Sequence, residues 1–83
     1  MKIIDVREPS EYAEGHVAGS INIPLGDVLK RVNEIPEDEQ VVMYCRSGGR
    51  AGVAVQRLRS IGYTNVENGI NQEHMESSYT LDI

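Results

Sequence analysis

The sequence has very little cysteine: Cys45 is the only one among 83 residues. A single thiol cannot form an intramolecular disulfide, so the chain does not resemble a disulfide-held secreted scaffold or a two-cysteine redox protein. Apolar runs are also short, and none approaches the roughly 18 residues of a membrane span or the pattern of a signal peptide. We therefore expect a cytoplasmic protein, or a periplasmic one if the chain is a mature form, with no membrane partner.

Phe and Trp are absent, and there is no excess of basic residues. The four aromatic side chains are all Tyr, so the core must be mainly aliphatic. The formal net charge of −5 argues against broad electrostatic binding to nucleic acid or to an anionic membrane. The length allows one small domain, and we expect residues 1–83 to form it as a monomer.

Short apolar segments alternate with helical patterns along the chain. Strands are predicted at residues 3–6, 20–23, 41–44 and 65–67. Helices are predicted at residues 9–14, from Asp27 to the residue before Pro36, and at residues 51–61 before Gly62. Residues 69–83 are polar and weakly patterned, and we expect this C-terminal segment to fray. The alternation predicts an α/β domain with a parallel sheet flanked by helices.

Cys45 directly follows the third predicted strand and opens a loop that leads into a helix. Ligands of parallel sheets bind beyond the carboxyl ends of the strands. Gly48 and Gly49 let the loop curl so that backbone N–H groups point inward, and the helix N-terminus adds partial positive charge. Such a setting lowers the pKa of a cysteine from about 8.5 and makes the thiolate a nucleophile. A lone cysteine is more often just a small buried side chain, and only the loop favours the chemical interpretation.

Arginines are concentrated around this loop. Residues 45–66 contain four arginines and no acidic residue, although the whole chain is acidic. Two of them, Arg46 and Arg50, flank the glycines. Solvated surface charge would explain either arginine alone, but together with the cysteine and the glycines they indicate a local anion site.

Three stretches of the sequence resemble the rhodanese family, the thiosulfate sulfurtransferases, and in particular its short single-domain bacterial members. They are "IDVREPSEYAEGHVAGSINIPL" at 4–25, "YCRSGGRA" at 44–51 and "LRSIGYTNVEN" at 58–68, and together they reach across most of the chain. The resemblance implies a small three-layer α/β domain. It also implies that the protein moves sulfane sulfur from thiosulfate to cyanide in vitro, or to a thiol or a sulfur-accepting protein, through a persulfide.

The same resemblance implies roles for individual residues. Cys45 would be the catalytic nucleophile, and a substrate-binding loop would be formed by Arg46, Ser47, Gly48, Gly49, Arg50 and Ala51. Spacing does not say which arginine reaches thiosulfate. We expect Asp5 and Arg7 to support the site as a structural pair, and His16 to take no direct part, since the loop already ionises the thiol. No metal or organic cofactor is required.

Other functions remain open at this stage. A binding protein could carry a persulfide that one partner loads and another removes, with little turnover of free thiosulfate. A cysteine-dependent phosphatase is disfavoured because such enzymes place five residues between Cys and Arg, whereas four separate Cys45 from Arg50. An arsenate reductase would also need a resolving cysteine. Mercaptopyruvate sulfurtransferases typically lack this pair of loop arginines, which makes thiosulfate the better substrate prediction.

The sequence departs from the family pattern after Asn68. Relatives commonly carry two adjacent glycines before an apolar helix, whereas this chain has Gly69 followed by Ile70 and the polar "NQEHMESSYT". The difference bears on how a last helix packs and on the shape of the substrate entrance. His74 lies in this segment, and no role is predicted for it.

Overall fold

A four-stranded parallel sheet organises the molecule. The computed structural model describes residues 1–79, in which the strands are β1 (Lys2–Asp5), β2 (Ile21–Asn22), β3 (Val41–Cys45) and β4 (Val66–Asn71). They lie in the order β2-β1-β3-β4 and all pair in parallel. The helices are α1 (Pro9–Glu14), α2 (Gly49–Ser60) and α3 (Gln72–Ser78). The predicted three-layer α/β architecture is confirmed.

Strand β3 is the centre of the core, because all five of its residues are buried. Its side chains alternate between the two faces of the sheet, as the period of two residues in a strand requires. On one face Val41, Met43 and Cys45 join the cluster that includes α2. On the other face Val42 and Tyr44 pack with Met75 of α3. Within residues 1–79, no helix is both long enough and apolar enough to cross a bilayer.

The spacing of apolar residues explains why helix α2 forms. The buried positions recur every three or four residues and are Ala51, Ala54, Val55 and Leu58. The extension of this stripe to Ile61 is wrong, since Ile61 is 49% exposed. The helix ends at Ser60, and Gly62 reverses the chain with φ +109°, a conformation that glycine adopts at little cost.

The predicted continuous helix between Asp27 and Pro36 is wrong. One 3-10 helix, Leu25–Asp27, ends where the predicted helix begins, a second one covers Val32–Glu34, and Leu29 from the predicted apolar stripe is 45% exposed. Only Val28 and Ile35 of that stripe are buried, so the core holds the two ends of the segment rather than one continuous helical face. The Tyr63 hydroxyl fixes the end of the segment by donating to the carbonyl oxygens of Val32 and Ile35 at 3.3 and 2.5 Å.

The expectation that the chain frays after residue 69 is wrong for α3. Met75 is fully buried against the sheet, and the side chain of Asn71 caps the helix by accepting from the His74 amide at 2.7 Å. One buried residue in seven is too weak a pattern to predict a helix from sequence. The remainder of the predicted C-terminal segment, residues 80–83, lies outside the described residues.

A bulge interrupts the pairing of β3 with β4. Met43 pairs with Asn68 and Tyr44 with Ile70, which leaves Gly69 as the additional residue. A Cβ atom at position 69 would collide with the Met75 sulfur and would lie 2.7 Å from Cγ1 of Val42. Ile70 takes φ +69°, the left-handed region that β-branched residues rarely enter. The bulge therefore contains both the glycine that packing requires and the isoleucine that departs from the family pattern.

Candidate active site

Cys45 is the last residue of β3, one position inside the strand rather than after it as predicted. Its side chain is almost fully buried, with the residue 3% exposed. The Gly48 amide donates a hydrogen bond to Sγ at 3.1 Å. Gly48 is the N-cap of α2 with φ +91°, so the loop turns back over the sulfur at a conformation that suits glycine.

The surroundings of Cys45 lower the pKa of its thiol. Burial acts in the opposite direction and raises the pKa, because it disfavours the charged thiolate. Backbone N–H groups of Ala51, Ser47, Gly48 and Arg50 outweigh that effect by stabilising the negative charge. Four of the six predicted loop residues therefore act on the sulfur through their amides. This arrangement can hold an anion on Sγ or just beyond it.

The loop is fixed to β4 by a residue that the sequence analysis did not identify. Asn68 donates from Nδ2 to the carbonyl oxygen of Gly48 at 2.9 Å, and the same oxygen accepts from the Gly52 amide at 2.8 Å. A Cβ atom at position 48 would meet Asn68 and Ile70 at 3.5 Å. Because the predicted strand ended at residue 67, the sequence pattern did not indicate that the side chain of Asn68 reaches the loop.

Both loop arginines bind one carboxylate on α1. The Glu11 carboxylate accepts from Arg50 Nη1 and Nη2 at 2.7 and 3.1 Å, and from Arg46 Nε at 2.5 Å. These contacts, led by those with Arg50, hold the pKa of Glu11 far below its usual range. Arg46 and Arg50 therefore each already have an anionic partner. Sequence analysis missed Glu11 because it lies 35 and 39 positions from those arginines.

Asp5 and Arg7 form the expected pair at the carboxyl end of β1. Arg7 donates from Nε and Nη2 to the Asp5 carboxylate at 2.7–3.0 Å, and from Nη2 to the carbonyl oxygen of Gly15 at 2.7 Å. Both side chains are buried, with at most 8% exposed. The hydrogen bonds with Asp5 raise the pKa of Arg7, so the guanidinium group remains charged inside the protein.

A cavity of about 250 Å³ opens beside the thiol. It is lined by Arg7, Cys45, Arg46, Asn71, Gln72 and Glu73. Helix α3 therefore forms one wall of this cavity. His16 stacks on Tyr12 at 3.6 Å between ring centroids and does not line this cavity. Across residues 1–79, no three His, Cys, Asp or Glu side chains are grouped as a metal ion would require.

Comparison with known proteins gives a consistent family. Residues 1–72 match the family described as "Rhodanese-like domain". The chain is 45% identical over 67 residues to the "Thiosulfate sulfurtransferase PspE" of Escherichia coli, covering 78% of this chain and 64% of that protein. It is 40% identical over 68 residues to the "Putative sulfur carrier protein YrkF" of Bacillus subtilis, covering 82% of this chain and 37% of that protein. The chain thus spans less than two thirds of the length of these relatives.

A solved structure gives the same result for the fold. The structure titled "rhodanese with anions from E. coli" superposes with a TM-score of 0.82 at 39% sequence identity. The match covers 88% of each chain, so the similarity extends over the sheet and its surrounding helices and is not limited to the cysteine loop.

Proposed function

Because this chain belongs to the rhodanese family, we propose that it is a sulfurtransferase that moves sulfane sulfur from thiosulfate to a thiophilic acceptor through a persulfide on Cys45. The observation that supports the proposal most directly is the set of loop amides around the sulfur. They stabilise a thiolate, the form that attacks sulfur, by lowering the pKa of the thiol. Cys45 itself lines a cavity of about 250 Å³, which is large enough for a small oxyanion.

The proposed reaction is a pair of displacements at sulfur. The Cys45 thiolate attacks the outer sulfur of thiosulfate, the S–S bond of thiosulfate breaks, and sulfite leaves with that bond's electron pair. The negative charge then rests on the outer sulfur of Cys45–S–S⁻, about 2 Å beyond Sγ. The loop amides and the α2 N-terminus can stabilise charge at that position. An acceptor such as cyanide then attacks the outer sulfur, forms thiocyanate and regenerates the thiolate.

A persulfide carrier is the second candidate function. In that case a partner protein loads Cys45 and another removes the sulfur, with little use of free thiosulfate. One feature of the structure favours this candidate: the two arginines available for a dianion are already bound to Glu11. The relative YrkF also has a sulfur carrier name.

The first test is the intact mass of the reduced protein after incubation with thiosulfate. We expect a gain of one sulfur atom, about 32 Da, that cyanide reverses and that Cys45→Ser does not show. Because Cys45 is the only cysteine, the variant removes the one thiol without ambiguity about the site.

Steady-state formation of thiocyanate then distinguishes the two candidates. Turnover with thiosulfate supports the enzyme. A persulfide that forms only when a persulfidated protein is supplied supports the carrier. A stable gain of mass on Cys45→Ser, or none on folded wild type with either donor, would contradict both.

A further inference from the structure

Glu11 connects α1 to the active-site loop by pairing with Arg46, which lines the mouth of the cavity. Its carboxylate is the common partner of Arg46 and Arg50, and its side chain is only 17% exposed. Arg50 directs both terminal nitrogens at this carboxylate. Arg46 is 59% exposed at its side chain and lines the cavity, so the carboxylate neutralises a charge that a substrate would meet on entry.

The charges around this mouth do not favour a dianion. Glu11 and Glu14 pair with Arg46, the Glu14 carboxylate at 3.6 Å from Nη2, and Glu73 lines the same cavity as that arginine. Arg7 contributes no net charge, since Asp5 neutralises it within the protein. Three carboxylates therefore outnumber the two loop arginines, and the Cys45 thiolate adds a further negative charge, although the loop sequence itself is purely basic.

We propose that Glu11 is a specificity-determining residue that selects against polyanionic sulfur donors by keeping Arg46 and Arg50 paired. This inference rests on the proposed function and concerns which donor the site accepts. A dianion must either displace the carboxylate from the arginines or bind beside it, and both cost free energy. A donor with less negative charge, such as a persulfide on another thiol, avoids that cost. Glu11 thus favours thiol-bound sulfur over thiosulfate.

The test is Glu11→Gln, which keeps an oxygen to accept from the Glu8 amide but removes the charge. With wild type as reference, we expect the KM for thiosulfate to fall about three- to tenfold at low salt. The change in kcat should be smaller, because the freed arginines act on binding. Adding salt should reduce the difference between the two proteins. Loss of a merely structural contact would instead leave KM unchanged or raise it, and either result overturns the proposal.

A second measurement does not depend on sulfur transfer. Alkylation rates of Cys45 are compared for iodoacetate, which is anionic, and iodoacetamide, which is neutral. We expect the ratio of the iodoacetate rate to the iodoacetamide rate to be about three- to tenfold higher in Glu11→Gln than in wild type. Glu14→Gln, which removes a weaker contact, should give a smaller rise in the same direction. An unchanged ratio in both variants overturns the proposal even if thiosulfate is turned over.

Glu34→Gln is the matched control. Glu34 also pairs through both oxygens with one arginine, Arg31, but it lies near Lys2 at the amino end of β1, away from the carboxyl ends that hold the loop. The Glu34→Gln variant should have the same KM for thiosulfate and the same alkylation ratio as wild type. If it shifts them as much as Glu11→Gln does, a local role for Glu11 is overturned. If the ratio rises in Glu11→Gln and no variant turns over thiosulfate, the selection by charge stands and the proposed thiosulfate activity fails.

Discussion

At the scale of single residues, the chemistry of Cys45 depends on its backbone neighbours rather than on another side chain acting as a base. Burial raises the pKa of the thiol, but the loop amides outweigh it and lower the pKa, so half of the thiol should be ionised at a lower pH than in the unfolded chain. We expect the rate of Cys45 alkylation by iodoacetamide to rise with pH. The midpoint of this rise should lie at a lower pH in the folded protein than in the urea-unfolded protein. Because the pKa is lower in the folded state, the thiolate stabilises the fold above about pH 8.5, and this stabilisation is lost as the pH falls through the folded pKa. Equal midpoints for folded and unfolded protein would contradict this account.

The Asp5–Arg7 pair gives a second prediction at this scale. Asp5→Asn leaves the buried guanidinium without its counter-charge, and we expect it to lower the free energy of unfolding by about 3 to 5 kcal/mol. Urea denaturation followed by circular dichroism measures the change. Glu34→Gln at the exposed Arg31 pair should change stability little, and comparable losses in the two variants would show that burial is not the cause.

The site was predictable from sequence only where its parts are close together in the chain. Cys45, its glycines and Arg50 lie within six positions, so their chemistry can be read from the local pattern. Glu11 and Asn68 reach the loop across the sheet, and nothing in their own segments marks them. The charges around the cavity were therefore not accessible from the sequence, although the position of the thiol in its loop was.

At the scale of secondary-structure elements, the bulge in β4 contains a residue in an unfavourable conformation. A non-glycine residue in the left-handed region costs about 1–2 kcal/mol, and Ile70 adopts φ +69° there. We expect Ile70→Gly to be more stable than Ile61→Gly by at least about 1 kcal/mol. Ile61 is also a partly exposed isoleucine, but its φ is −108°. If thermal denaturation shows equal losses of stability in the two variants, Ile70 is not strained.

Elements were predictable where buried residues repeat and not where one residue anchors them. Helix α2 has four buried positions at helical spacing, and its existence follows from the pattern. Helix α3 has Met75 as its one buried residue, and between β2 and β3 the core takes only Val28 and Ile35 of the predicted stripe. In both cases a contact distant in sequence determines the local conformation.

At the scale of the whole molecule, the two faces of the sheet are unequally covered. The cluster on the α3 face has five buried members, which are Ile3, Val17, Val42, Tyr44 and Met75. We expect Met75→Ala to lower the free energy of unfolding by about 2 to 5 kcal/mol, a large part of the total for a domain of this size. Val53→Ala, at a partly exposed position of α2, should have little effect in the same urea titration. A small loss in Met75→Ala would show that α3 contributes little to the fold.

The bulge has a further consequence, for self-association. Within the described residues β4 forms one edge of the sheet, and a regular edge strand offers unpaired backbone groups to a strand of another molecule. The additional residue Gly69 and the reversed backbone at Ile70 interrupt that row of donors and acceptors. The opposite edge, β2, is only two residues long. The irregularity that strains β4 thus also makes its edge a poor template for the strand-to-strand growth that leads to aggregates.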